Sequence, residues 1–525
     1  MMTRIVINRK STCIWFCLFV ILGVIISGTY CRVYGVGQRD KKLTPAQIRH
    51  AELVEQANNV VASRAAAVAK DPLRPIFHIM TPAHWCNDPH GIIFFEGKYH
   101  LFLQYDIYFS EDAESVGRGW GHLSSKDFVH WEPEPIAIVP GPQEYDKDGI
   151  WSGGSFIDND GIPTIIYSSR PHGGQAMAKS YDGMKTWVKY ENNPVITQKD
   201  LPPETRIWMR DPTFFKDGET INLLIGAPWY KGQESGKGTV LLYQSTDSVN
   251  WEYRHQICEG YGGLWECANM LPIGRGKHVL FVSVNNNTGF LNRVVKYSIG
   301  KWKNEKFEMG PWSYFDWGER VPYAPGGFVD EKGRAIALGY IAARGMPSSP
   351  PWANCLSLPR VLKARSDGRL SMEPMPELKK LRGRKYKFDP VTINDKSENI
   401  LEDVKLNTFE IVVEFENINA EWFGFELLRS GDGKKNAPVI YNTLSKEFTV
   451  GDTTGPFTRI GKEKTMKLRI FVDRTVLEMF AAGREVFTSH SATDNPDNRG
   501  MRLFATGGSV NVKSLEIYEM GSIWK

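Results

Sequence analysis

Cysteine is scarce in this chain: seven in 525 residues, with Cys13 and Cys17 inside an apolar N-terminal run and none beyond Cys355. The other five, Cys31, Cys86, Cys258, Cys267 and Cys355, are scattered. That excludes a disulfide framework and leaves room for one bridge at most. A metal site built from Cys86 and Cys267 with His84 or His90 has no recognisable ligand spacing, so neither metal nor cofactor is expected. A large charge of one sign is also missing. The formal net charge is +4 and no basic stripe occurs, which argues against a nucleic-acid partner. Outside residues 13–26 there is no long apolar run, and a helical pattern is confined to residues 44–70.

At the N-terminus, Arg4, Arg9 and Lys10 precede the run from Cys13 to Ile26, and Ser27, Gly28 and Thr29 follow it. The run is short for a membrane span and suits a signal-peptide h-region. Residues 1–35 therefore read as a signal peptide, with a short membrane anchor as the alternative. Both place the protein outside the cytoplasm, secreted, extracellular or periplasmic. A lipoprotein anchored through Cys31 is disfavoured by the bulky Tyr30. Residues 36–74 read as a helical spacer or a helix lying on the main domain: Thr44 can cap, Pro45 suits a first turn, and Asp71-Pro72 and Arg74-Pro75 end the pattern.

What the chain has in quantity is aromatic residues, 12 % of the total with 16 Trp and 20 Tyr, in a setting of short β-runs. From Phe77 to about Pro376, segments such as Thr164-Ile165-Ile166-Tyr167 and Val279-Leu280-Phe281-Val282 alternate with Gly, Pro, Asn and Asp turns. A repeat runs through them. Ser125-Lys126-Asp127 leads to Trp131, Ser180-Tyr181-Asp182 to Trp187, and Ser245-Thr246-Asp247 to Trp251. Each reads as a hairpin turn whose Asp accepts backbone N–H groups while the Trp packs between sheets. In step with these turns, Asp88, the Asp148–Ser152 region, Asp211, Glu266 and the Tyr323-Ala324-Pro325 region recur 55 to 62 residues apart.

The fold expected is all-β: a five-bladed β-propeller over residues 75–376, followed by a C-terminal β-sandwich over 393–525. A pair of β-sandwiches with coincidental turns is the alternative for the first part. The basic stretch from Lys379 to Lys387 reads as a mobile linker (377–392) between the two units.

Three stretches carry chemistry: Trp85-Cys86-Asn87-Asp88-Pro89-His90-Gly91, Met209-Arg210-Asp211-Pro212 and Trp265-Glu266-Cys267. Three carboxylates brought together by a repeating fold suit acid/base chemistry on a neutral polyol such as a sugar. Cleaving a glycosidic bond needs one carboxylate to attack or steady a cation and one carboxyl to protonate the leaving group. Glu266, flanked by Trp265 and Cys267, reads as a carboxyl with apolar neighbours that raise its pKa and suit it to the acid role. Asp88, between Asn87 and Pro89, reads as the nucleophile. Asp211 reads as a carboxylate kept ionised by Arg210 to hold sugar hydroxyls.

Together these stretches resemble those of glycoside hydrolase family 32, the invertases, levanases, inulinases and related fructosidases. The family signature Trp-Met-Asn-Asp-Pro-Asn-Gly is similar to residues 85–91, its Arg-Asp-Pro to Arg210-Asp211-Pro212 and its Glu-Cys to Glu266-Cys267. Further likeness lies in Gln104-Tyr105, Trp120-Gly121-His122, Asp148 through Gly153, Leu358-Pro359-Arg360, and Phe471-Val472-Asp473-Arg474 through Glu478 and Phe480. The resemblance implies a retaining, metal-independent hydrolase that releases fructose from sucrose or a fructan of levan or inulin type. Asp88 would be the nucleophile, Glu266 the acid/base and Asp211 the transition-state stabiliser. Asn87, Gln104, Trp151, Ser152 and Arg210 would bind substrate. The retained Asn87 favours water over a sugar as acceptor.

The chain departs from the pattern at Cys86, at His90, at Asp106 in place of Asn, and at Gly154 in place of a second Ser. The usual Trp-Gly-Asn is replaced by a polar, acidic loop over residues 108–119. His90 is read either as reaching the leaving sugar or as a surface turn residue. Two other readings stay open: an arabinan- or sialic-acid-cleaving propeller, and a carbohydrate-binding protein that does not catalyse.

Overall fold

The computed structural model describes residues 43–107, 118–143, 145–171, 173–205, 209–217, 220–230, 232, 236–260, 262–285, 294–318, 321–344, 352–459, 464–490 and 492–524. Residues 1–42, which hold the expected export segment, and most of the polar loop (108–117) lie outside the described residues.

Helix α1 (Pro45–Val68) begins as its sequence dictates. The Thr44 hydroxyl accepts from Gln47 N at 3.2 Å, and the Gln47 side chain accepts from Thr44 N at 2.9 Å, a reciprocal capping box. Of the two readings of this helix, the one that lays it on the main domain matches its contacts. Ala57 packs with Tyr105, Ile107, Ile136 and Val139, Asn58 accepts Ile136 N at 3.0 Å, and His50 Nε2 accepts Val139 N at 3.2 Å. Burial, with the Lys189 charge, holds His50 well below its usual range, which leaves the ring neutral and able to accept.

The rest is strand. In chain order these are β1 (His84–Phe95), β2 (Lys98–Asp106), β3 (Gly119–Ser125), β4 (Glu132–Pro133), β5 (Gly149–Ile157), β6 (Pro163–Arg170), β7 (Gln175–Lys179), β8 (Val188–Lys189), β9 (Arg210–Asp217), β10 (Thr220–Trp229), β11 (Lys237–Ser245), β12 (Glu252–Gly260), β13 (Leu264–Gly274), β14 (Lys277–Asn285), β15 (Val294–Lys303) and β16 (Lys306–Tyr314). After them come β17 (Tyr323–Val329), β18 (Ala335–Arg344), β19 (Trp352–Leu356), β20 (Arg360–Ala364) and β21 (Leu370–Pro374). β5–β8, β9–β12 and β13–β16 are each a four-stranded sheet in sequence order. β1–β4 repeat that run, and β17, β18, β20 and β21 form another. β19 fuses the last to the first, antiparallel to β18 and parallel to β1. Neighbouring sheets pack through their first strands: β1 lies beside β5, β5 beside β9, β9 beside β13, β13 beside β17, and β17 beside β1.

The Ser-x-Asp turns behave as their residues require. Asp127, Asp182 and Asp247 each accept two backbone N–H groups. Phe128, Met184 and Ser248 follow at φ +59, +64 and +66. Trp131, Trp187 and Trp251 are buried behind them. Because sheets cover both faces, β2 and β6 are almost continuously buried instead of alternating.

The basic stretch from Lys379 to Lys387 is not a mobile link. Pro376–Leu381 forms a 3-10 helix, and Arg382–Phe388 is a strand paired antiparallel with Ser509–Met520. Its basic side chains are placed on acidic partners: Arg382 meets Glu410 at 2.7 Å and Lys385 meets Glu516 at 2.6 Å. Beyond it, one sheet is built on Ser509–Met520, Thr408–Glu416 and Thr465–Asp473, and a second on Trp422–Arg429, Ala437–Asn442 and Gly500–Thr506. Phe409, Ile411 and Ile470 from the first share a core with Phe425, Val439 and Leu503 from the second.

A buried ionic network ties the C-terminal sheets to the rest. Arg360 Nη2 donates to Asp316 at 2.7 Å, to Glu478 at 2.9 Å and to Thr488 at 3.2 Å. His78 bridges Asp473 at 2.8 Å and Glu478 at 3.2 Å. The backbone N–H groups of Ile76, Phe77 and His78 all converge on Asp473. Burial works against a charged His78 ring, but its hydrogen bonds to Asp473 and Glu478 prevail and raise it to about 9. Arg360, Asp473 and Glu478, all in motifs that carry the family resemblance, therefore join the two units and do not touch the acidic site.

Candidate active site

Each of the five first strands carries a β-bulge at the same place. Three steps from Cys86 to Pro89 face two on β2; the same holds from Ile150 to Gly153, Arg210 to Thr213, Glu266 to Asn269, and Tyr323 to Gly326. A bulge re-aims side chains and interrupts the pleat. Here it turns Asp88, Ser152, Asp211, Glu266 and Tyr323 toward one mouth. The backbone strain is visible at Asp211 (φ +59), Cys267 (φ +50) and Ala324 (φ +47), conformations that non-glycine residues hold only where the surroundings enforce them. Close packing of the bulged strands also explains Gly154: a Cβ there would come within 2.8 Å of the Phe214 ring and 3.0 Å of Pro212 O.

The three carboxylates form one connected cluster, with Asp88 and Glu266 each 6 % exposed and Asp211 1 %. Ser152 Oγ donates to Asp88 at 2.5 Å. Cys267 Sγ stands 3.8 Å from Asp88 Oδ2 and 3.6 Å from Asp211 Oδ2. Arg210 Nε donates to both Asp211 oxygens, at 3.1 and 3.0 Å, while its Nη1 meets Glu266 Oε1 at 3.1 Å. The same guanidinium lies 4.0 Å from the centre of the Trp151 ring, which Arg170 approaches at 4.5 Å. Asn87 donates to Gln104 at 3.3 Å. All the residues named from sequence are thus in this region.

Burial first, and Asp211 second, push Asp88 up to about 6, against the Ser152 hydrogen bond and the Arg210 charge. Burial also raises Asp211; Arg210 opposes the rise without cancelling it. Arg210 itself is pressed down by burial but held well above its ordinary value by Asp211, Glu266 and Asp88.

The surroundings of Glu266 also differ from those its chain neighbours suggested. Trp265 packs under Gly238 and Gly260 in another sheet, and Cys267 turns to the two aspartates. The carboxylate instead accepts from Tyr323 Oη at 2.8 Å and Asn285 Nδ2 at 3.3 Å, besides Arg210. Sequence reasoning gave Tyr323 and Asn285 no role. The signal for Tyr323 was its place as the fifth member of the repeat.

His90 is not a surface turn residue. It is buried, stacks on Trp120 with ring centres 4.0 Å apart, and is pushed down to about 3 by burial. It lines a cavity of about 580 Å³ together with Ser152, Asp211 and Cys267, and with Ser155, Thr213 and Asn269. Cys86, Cys258, Cys267 and Cys355 are free thiols. Among the described residues no group of three or more His, Cys, Asp or Glu is placed to hold a metal ion.

Comparison with known proteins agrees with this geometry. The chain is 30 % identical over 542 residues to a levanase of Bacillus subtilis, covering 92 % of this chain and 76 % of that one. It is 30 % identical over 480 residues to a raffinose invertase of Escherichia coli, covering 86 % and 94 %. Among solved structures, the fructan 1-exohydrolase IIa of Cichorium intybus superposes with a TM-score of 0.75 at 22 % identity, covering 86 % of this chain and 98 % of that one. The family model for the glycosyl hydrolases family 32 N-terminal domain matches residues 78–374, and that for the family 32 C-terminal domain matches residues 377–519. Over nearly its whole described length, then, the chain belongs to glycosyl hydrolase family 32.

Proposed function

We propose that the protein is a retaining glycoside hydrolase that releases fructose from sucrose or from a fructan of levan or inulin type. The observation that carries this is the convergence of Asp88, Asp211 and Glu266 around Arg210 at the bulged starts of neighbouring strands. The relatives' names, levanase and raffinose invertase, point to the same bond. In this reading the Asp88 carboxylate attacks the anomeric carbon of the fructosyl unit. The bond to the leaving oxygen breaks, and that oxygen takes the proton of Glu266. Glu266 then removes a proton from water, whose oxygen displaces Asp88 and frees fructose. Asp211 and Arg210 hold fructosyl hydroxyls and the charge that develops. Asn87, Gln104, Trp151 and Ser152 complete the binding surface.

The five four-stranded runs are the blades of a five-bladed β-propeller, and the two C-terminal sheets are a β-sandwich. The supporting observation is that first strands neighbour one another in sequence order and the last meets the first. The sandwich takes in residues 382–388, so no separate linker is needed. Residues 1–35 direct the protein out of the cytoplasm on the strength of their charged start and short apolar run.

Incubating the full chain with sucrose, levan and inulin is expected to yield free fructose from at least one, and the ranking names the substrate. No fructose from any, with the protein folded and still binding sugar, would replace hydrolysis by a binding role.

A pH profile tests the role of Asp88. The attacking group must be ionised, so kcat/KM is expected to fall as pH drops through about 6, where Asp88 takes up a proton. Ser152 stabilises the ionised form. Ser152→Ala is therefore expected to move that acid limb to higher pH; an unmoved or lowered limb would contradict the assignment.

A further inference from the structure

Trp85, Asp106 and Arg118 form a row across the ends of three adjacent strands. Trp85 opposes Asp106 between β1 and β2. Gly119 opposes Tyr105 between β2 and β3, so Arg118 comes one step later, beside Asp106. Residues in such a row share a face of the sheet and can act on one ligand. The Arg118 guanidinium reaches over the Trp85 ring, 4.6 Å from its centre. Burial lowers Arg118, and the carboxylates of Asp88 and Asp106 oppose that.

Two polar groups in this region are unused. Asp106 is 3 % exposed, and its Oδ1 has no hydrogen-bond partner among the described residues. Gln104 Nε2, two residues earlier on β2, is likewise buried without one. A buried acceptor left unpaired is destabilising, and a bound hydroxyl donating to it would remove that penalty. Arg118 has no ion pair among the described residues, so the carboxylate and the guanidinium are near one another without consuming one another.

The row also has the right distance. Asn87 and Gln104, the pair beside Asp88, form the inner row. Two residues along a strand span about 7 Å, so Asp106 and Arg118 stand outward of the ring that the inner row holds. They are on the side of Trp85, and none of the three lines the cavity past His90.

We propose that Asp106 and Arg118 are specificity-determining residues that bind hydroxyls of the unit attached to the fructosyl ring, with Trp85 as its apolar platform. The leaving group is a neutral sugar. One acceptor beside one forked donor matches a pair of sugar hydroxyls, and Asp106 offsets the positive charge that would otherwise favour an anion. This inference rests on the fructosidase reading above.

The test compares sucrose and short levan and inulin oligosaccharides with methyl β-D-fructofuranoside, which has the same fructosyl bond and no leaving sugar. In Asp106→Ala and in Arg118→Met, the ratio of kcat/KM for the preferred saccharide to that for the methyl fructoside is expected to fall tenfold or more. Should the buried Asp106 variant fail to fold, the half-buried Arg118→Met decides alone. A ratio within twofold of wild type overturns the proposal. So does a wild-type preference for sucrose 6-phosphate over sucrose that Arg118→Met abolishes, since the subsite would then serve an anion. The fructosidase reading fails separately, and visibly, if the wild type releases fructose from none of these compounds.

Discussion

Asp88→Asn and Glu266→Gln are each expected to lower kcat for fructose release by roughly 10⁴-fold or more while the protein stays folded. Losses of that size follow the removal of groups that act mainly in the transition state. The two variants should differ in kind. Asp88→Asn removes the attacking oxygen, so no fructosyl–enzyme ester forms with any leaving group. Glu266→Gln removes the proton donor for the leaving oxygen and the base for the second step. With a leaving group that departs without protonation, such as a nitrophenolate, the first step survives and the ester accumulates. Mass spectrometry of the Glu266→Gln protein should then find one fructosyl unit on Asp88. A label on Asp211, or turnover within tenfold of wild type in either variant, would overturn the assignment of roles. The structure gives a reason for testing Asp211: both aspartates are buried, both contact the Cys267 thiol, and Arg210 stands nearer Asp211. A guanidinium held on both oxygens of Asp211 occupies the lone pairs an attacking group needs, which leaves Asp88 as the freer carboxylate.

Arg360→Met is expected to destabilise the protein by about 3–5 kcal/mol, the usual cost of removing one partner from a buried charge network. The side chain is fully buried and neutralises Asp316 and Glu478. Without it two carboxylates are left facing one another inside the protein, and burial already raises Asp316 to about 6 with Arg360 present. Because the network joins the C-terminal sheets to the catalytic part, the loss should lower the denaturant midpoint for both together. Arg365→Met serves as the control. Arg365 pairs with Asp367 at a solvent-accessible turn, where an ion pair contributes little, and the change should stay within about 0.5 kcal/mol. Equal midpoints for the two variants would mean that the network contributes nothing to holding the units together.

Much of the fold was legible because its signals are local. The cap at Thr44, the three Ser-x-Asp turns and the β-runs between them depend on residues a few positions apart, and the structure forms them as read. Errors arose where chain neighbours were taken as spatial neighbours. Lys379 to Lys387 has the composition of a mobile link, yet acidic residues in distant strands receive its charges and make part of it a sheet strand. His90 has the look of a turn residue, yet the bulge in β1 turns it under Trp120.

By itself, then, the sequence determined the all-β class, the period near 60 residues, the three acids with Arg210, and the family. Each of these rests on residue type and spacing along the chain. Only the tertiary structure decided what surrounds those acids. A bulge at the start of each first strand re-aims side chains by amounts that no alternation pattern records. That is how Glu266 exchanges Trp265 for Tyr323 and Asn285, and how Cys267 comes to lie between two aspartates. The β2–β3 register likewise brings Asp106, read from sequence only as a departure from the family pattern, beside Arg118. Burial and charge at each position follow from contacts across 50 residues or more, and those exist only once the sheets have closed on one another.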